Sequence, residues 1–286
     1  MYGRHALIVI TSLGLFGCAS MPPPGDKEPL RAAEACAPVA GIKFMEDGHL
    51  YTTYSIAGIA GYDIQRQLTL SYYSQYPDID PDYDAVSATV RYLPVPWYWS
   101  WHDKINGILH SLHGGNQSEI DQRRAAIKRA LANSLKDPNL DWLSGLLIHA
   151  YGDAYAHTCG EYGSGHEKAF GPWFGHGLQT FLGKDPDGIK NPTTEAKYLA
   201  YVDELYRTLR TQPDDAQPND DLERFKANVR MISCEPGKCP IIHQLPNPDP
   251  AASESPVVAF AQCMNRSARR LKPSEIDYAT SRVKKD

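Results

Sequence analysis

At 286 residues, with 42% apolar and 10% aromatic side chains, the chain is long enough to bury one substantial core. Its net charge of −5, with acids and bases interspersed, lacks the basic surplus of a bulk nucleic-acid binder. That balance leaves open an enzyme that grips a short phosphate-bearing substrate through metal ions.

The chain starts with a short basic region containing Arg4, followed by an apolar run over residues 6–16. This run is too short to span a bilayer as a mature helix and reads as a signal segment. It ends in Leu15-Phe16-Gly17-Cys18, which resembles a bacterial lipobox. The resemblance implies removal of residues 1–17, diacylation of Cys18 and a lipid-anchored protein of the bacterial cell envelope. Ala19 replaces the Asp of an inner-membrane retention signal, which leans the address toward the outer membrane over the inner. Residues 18–29 form a Pro-rich tether, and residues 30–286 read as one helical metal-binding domain.

Helical spacing of Leu50, Tyr54, Ala57 and Ile59 predicts a helix over residues 47–60, opened by His49. Asp63 caps a second helix expected to stop at Tyr76, because Pro77 and Pro81 break continuation and leave an acid cluster, Asp78, Asp80 and Asp82. Residues 84–101 read as irregular, with a brief strand over 86–92 and an aromatic patch at Trp97, Tyr98, Trp99 and Trp101. A short helix over 104–112 carries His110, with His113-Gly-Gly just after it. Residues 119–134 form an amphipathic helix capped by Ser118, and 139–158 an apolar helix. The Gly-rich segment 160–188 reads as a functional loop with one short helix around residues 176–182. Helices over 194–211, 221–232, 257–271 and 274–284 complete an all-α bundle of about nine helices with irregular Gly- and Pro-rich loops.

An exported chain sits where disulfides persist. Cys234 and Cys239 flank a Pro-Gly turn, and Cys36 with Cys263 would tie the ends of the domain together. Cys159 is left over.

The chemistry concentrates in residues 139–158. His149, Asp153 and His157 stand at i, i+4 and i+8, so they share one helix face. A carboxylate between two imidazoles is what a zinc-type site needs. The i and i+8 positions are about 12 Å apart along the axis, too far for one ion, which points to a cluster with Asp153 bridging. Gly165 and Gly175 precede His166 and His176, two histidines that could close over the site. His110 and His113 are readable as outer ligands, substrate contacts or ordinary helix-end polar residues.

The segment from Ser144 to Thr158, with its histidines and aspartate so spaced, resembles the LHxxxDxxAH signature of the zinc-dependent phospholipase C and single-strand nuclease superfamily. It is closest to a related family of uncharacterised bacterial proteins. The resemblance covers roughly residues 43–210, where His49, the acids Asp78 and Asp80, the His149-Asp153-His157 helix and Gly175-His176 come in the order seen in those relatives. It implies an all-helical fold, two or three zinc ions, metal ligands among His49, His149, Asp153, His157, His166 and His176, and Asp78 or Asp80 as catalytic base. It implies hydrolysis of a phospholipid or other phosphodiester. In the secreted phospholipases the free amine of the mature N-terminal residue is itself a ligand. Here acylated Cys18 would take that place, so either the third metal position is lost or His49 and a carboxylate complete the site.

Two other readings compete. One is a non-catalytic envelope lipoprotein with a structural metal. The other is a thiol hydrolase at Cys159, which no oxyanion signature supports. No GxSxG elbow, P-loop or GxGxxG is present.

Overall fold

The computed structural model describes residues 47–92, 94–172, 192–210, 220–231, 256–268 and 270–283. Among these, the fold is all-α. A π-type turn at Asp47–Tyr51 leads into α1 (Thr52–Ile59), followed by α2 (Ile64–Ile79) and α3 (Ala85–Tyr92). A 3₁₀ turn at Pro96–Tyr98 precedes α4 (Trp99–Lys104), which passes into a second π-type turn at Ile105–Leu109. Then come α5 (Gln117–Ser134), α6 (Asp141–Ala156), α7 (Pro192–Leu209), α8 (Asp220–Met231), α9 (Pro256–Ser267) and α10 (Pro273–Arg282). The one sheet among the described residues is a two-residue antiparallel pair, Thr158–Cys159 with Lys168–Ala169.

The axis of the molecule is α6. All but the last of its residues, from Asp141 to Tyr155, are buried, as expected of a helix apolar on most sides. Helices α2, α5 and α7 pack around it, and the π-type turns touch it too. The closest approach is at Gly145, where an added Cβ would fall 2.4 Å from the Tyr73 Cβ and 2.9 Å from the Leu70 carbonyl oxygen. A second glycine two turns on, Gly152, opens the same face to the His49 ring.

Three expectations are corrected. Residues 86–92 are helical, not a strand. Asp84 accepts from the Ser87 amide, Thr89 donates its hydroxyl to the Ala85 carbonyl, and Ala88 is buried, so local capping and packing override the β-branched residues. Helix α5 begins at Gln117 under an Asn116–Glu119 capping box, so Asn116 and not Ser118 is its cap. And α2 continues through Pro77 to Ile79. Tyr72, Tyr73 and Tyr76 are buried in that turn, and their packing offsets a penalty of about 3 kcal/mol for an internal proline.

No helix among the described residues is long and apolar enough to cross a membrane. Cys263 is disulfide-bonded, while Cys159 is free and exposed. The expectations on Cys18, Cys36, Cys234, Cys239, His176 and the short helix near it fall outside the described residues.

Candidate metal centre

Five side chains converge beside α6. His149 and Asp153 come from α6 itself, Asp78 from the last turn of α2, His49 from the first π-type turn and His110 from the end of the second. Both π-type turns thus deliver a histidine, in keeping with their frequent use at functional sites. Immediately after His110, Ser111 adopts a left-handed conformation (φ 51°). That conformation costs about 1–3 kcal/mol in a non-glycine residue. Its hydroxyl donates to the Ala150 carbonyl on α6 at 2.8 Å, which holds the strained corner where His110 needs it.

His110 Nδ1, His149 Nε2 and Asp153 Oδ2 form a nearly equilateral triangle, with separations of 3.1, 3.2 and 3.2 Å. Ligand atoms at ~2.0–2.1 Å from one tetrahedral ion stand about 3.3 Å apart. The protonation pattern fits as well. His110 donates from Nε2 to the Tyr83 carbonyl at 2.8 Å, and His149 donates from Nδ1 to the Ser74 carbonyl at 2.8 Å. In neutral rings so bonded, the two nitrogens that face each other both carry lone pairs. Two lone pairs and a carboxylate oxygen converging in a buried space require a cation between them, either a proton or a metal ion.

The other Asp153 oxygen, Oδ1, lies 3.1 Å from His49 Nε2. That nitrogen and His149 Nε2 are also within 3.9 and 3.8 Å of the Asp78 carboxylate. Asp153 therefore points one oxygen at His110 and His149 and the other at His49, as a bridging carboxylate would. The His49 and His149 rings stack at 4.1 Å between centroids. Gly152 makes this possible, since a Cβ there would sit 3.1 Å from the His49 ring. The remaining His49 nitrogen, Nδ1, is buried with no hydrogen-bond partner. These two groups, His49 with Asp78 and His149, and His110 with His149 and Asp153, could hold a metal ion.

The electrostatics follow from the geometry. Burial opposes a charged His49 ring, but the Asp153 carboxylate outweighs it and raises the His49 pKa above the usual imidazole value. His110 is raised in the same way, against burial, by its hydrogen bond to Asp153. His149 is lowered, by burial first and by the neighbouring His49 as well. Burial pushes Asp153 upward, yet the charges of His157, His149 and His49 hold it well below the ordinary carboxylate range. No lysine or arginine joins the cluster among the residues that set these shifts.

The other expected residues take different places. His157 ends α6, and its Nδ1 donates to the His110 carbonyl at 2.7 Å, with the same atom 3.6 Å from Asp153. It orients the His110 corner and belongs to neither candidate ligand group. His166 is exposed in the loop between the two short strands. Asp80 is buried away from the histidines, where it accepts from the Tyr76 hydroxyl, the Asp82 amide and the Arg270 guanidinium. Asp78, by contrast, has its side chain 35% exposed and is the most accessible member of the cluster.

His110 is the residue that sequence reading left open among several roles. No motif marks it, because its partners are the Tyr83 carbonyl and residues of α6, 27 to 43 positions away. Its place near a helix end, with His113-Gly-Gly just after it, was the one local hint.

No protein-family model matches the chain, and no curated protein or solved structure matches it.

Proposed function

We propose that this chain is a metal-dependent hydrolase of phosphate esters, phospholipase C-like, that works at the bacterial cell envelope through a lipidated Cys18. The observation that carries the reading is the triangle of His110 Nδ1, His149 Nε2 and Asp153 Oδ2, with the second Asp153 oxygen turned to His49. Zinc suits a set of imidazole nitrogens and carboxylate oxygens, and the split carboxylate suits two ions, with a third as the upper limit. Paired divalent ions of this kind, ~3.5–4 Å apart, activate water and stabilise charge on a phosphoryl group.

The chain's own residues divide the remaining work. Asp153 bridges. His110 and His149 are held in the correct tautomer by the Tyr83 and Ser74 carbonyls, and His157 fixes the His110 backbone. Asp78, on the exposed side, is the group able to take a proton from an attacking water, with Gln75 donating to its Oδ2 at 3.0 Å. Asp80 is committed to Arg270 and drops out of that role.

The decisive test uses protein purified without chelator. Two or more zinc ions per chain, and hydrolysis of a chromogenic phosphodiester, are expected, and both should disappear in the double variant His149→Ala with Asp153→Ala. Retention of metal and activity by that variant would sink the reading.

One observation favours a second reading, a non-catalytic lipoprotein with a structural metal: the side chains of the triangle, His110, His149 and Asp153, are only 2%, 0% and 4% exposed. Bound metal with no turnover across phosphodiester and lipid substrates would select that reading.

A further inference from the structure

We propose that the segment between Tyr83 and His110 is a bilayer-docking lip, with Val86, Val90, Trp97, Tyr98 and Trp99 as the side chains that enter the lipid interface. Eight large apolar side chains are exposed among the described residues, and these five are all within residues 86–99. The other three, Ile64, Tyr162 and Met231, are scattered singly along the chain, as is normal for a surface. Val86, Val90 and Trp97 are 67%, 72% and 78% exposed and form the open part of the patch, while Tyr98 and Trp99, at 46% and 45%, are half covered and seat it on the domain.

The elements that carry the patch are tied to one another and to the core. Val86 and Val90 stand one turn apart on the outer face of α3. The neighbouring flank is tied down by Asn106, whose side-chain amide donates to the Thr89 hydroxyl at 2.8 Å and to the Ala85 carbonyl at 3.3 Å, and Ala88 is buried. Tyr92 and Tyr98 rings meet at 5.4 Å, joining α3 to the 3₁₀ turn. Trp101 packs back on the core and anchors the start of α4. An ordinary surface helix would place polar residues where this one places valines.

Several observations select a bilayer as the occupant. The exposed residues are two tryptophans, a tyrosine and two valines, the mixture that partitions into the headgroup boundary, with apolar bodies buried and indole N–H and phenol O–H groups wet. Of the charges flanking the patch, Arg91 pairs with Asp82 and Lys104 with Asp277, while Asp103 is exposed beside His102, so nothing there calls for an anionic headgroup and a neutral one suffices. The lipobox at Cys18 lies 29 residues before the first described residue, which reaches up to about 95 Å when extended, so an acyl anchor leaves the domain free to lie on the same membrane. The lip is also continuous with the metal centre. His110 ends it, and the His110 ring donates to the carbonyl of Tyr83, where it begins. Docking would bring lipid headgroups to the candidate site. The choice of a bilayer rests on the envelope-lipoprotein reading.

The full chain, reconstituted with phosphatidylcholine vesicles whose acyl chains carry bromine, tests this. Bromine quenches indole emission on contact. The parent should be quenched relative to unbrominated vesicles, and that quenching should be lost in Trp97→Phe with Trp99→Phe. Both tryptophans are exposed, so the double variant is expected to fold, and far-UV circular dichroism checks it. Serine at 86, 90, 97 and 99 should also weaken association with unbrominated vesicles. Equal quenching in the parent and the phenylalanine variant would overturn the proposal. So would concentration-dependent dimerisation abolished by the serine variant, which would make a second copy the occupant, or protection of 86–99 from hydrogen exchange without lipid, which would make it another part of this chain. Metal content is read on the same samples. Indole quenching without bound metal would keep the lip and remove the hydrolase, and bound metal without quenching would do the reverse.

Discussion

Two buried carboxylates lie near the C-terminal end of α6, and their surroundings differ in kind. Glu167 is held by both guanidinium nitrogens of Arg124, at 3.0 and 3.1 Å, and by the Thr158 hydroxyl at 2.9 Å. Arg124 in turn gives its Nε to the Ala154 carbonyl. That carboxylate faces a permanent charge in fork geometry and is complete as it stands. Asp153 faces only imidazoles, whose charge is optional and whose aligned lone pairs invite a cation. The first arrangement is what a protein builds to close a structure, joining α5 to the strand pair at the end of α6. The second is what it builds to bind something.

The largest expected effect comes from breaking the complete pair. Arg124→Met leaves Glu167 buried without its ion-pair partner and should destabilise the fold by about 3–5 kcal/mol. Urea unfolding with and without chelator measures it, and the loss should be the same in both. A chelator-dependent loss would show that the two clusters are coupled.

Next comes the incomplete cluster. Zinc at a hundredfold excess over its Kd should stabilise the parent by about 2.7 kcal/mol, through binding to the native state alone. Asp153→Asn should abolish that gain, since it removes the charge and turns a donor into the space between His110 and His149. Thermal unfolding midpoints that zinc does not shift in the parent would mean the cluster is satisfied by protons, and the contrast with Glu167 would fail.

The smallest effect is the pH dependence that the Arg124–Glu167 pair confers. Burial tends to raise the Glu167 pKa, but Arg124, Thr158 and Lys197 outweigh it and hold the value below the usual glutamate range. A depressed carboxylate contributes stability that is fully present above its unfolded pKa and is lost as pH falls through its folded value. The parent should therefore lose stability on acidification below the ordinary glutamate pKa, and Glu167→Gln should flatten that acid limb. A variant with an unchanged acid slope would remove Glu167 as a source of the pH dependence.

Much of the bundle was legible in the sequence because helices and their caps are local. Asp63 was read as the α2 cap from its place before an apolar-periodic run, and its side chain does accept from Arg66. His149 and Asp153 of α6 were read from their helical spacing, the local density of histidines and the aspartate set between two of them. Residues 86–92 were misread because valine and threonine favour strands only weakly, and a capping aspartate with a buried alanine decides otherwise. Pro77 was misread as a stop because the tyrosines that carry α2 past it act through packing, which no local rule counts.

By itself, the sequence determined that a helix would present His149 and Asp153 on one face, since backbone geometry sets that spacing. Only the tertiary structure decided the company they keep. It brought in His110 from a strained corner and Asp78 from a helix that outruns its proline, turned His157 to a backbone carbonyl, and gave Asp80 to Arg270. The physical reason is that a ligand set is defined by distances of about 3 Å between atoms, while periodicity speaks only for residues within a few turns of each other.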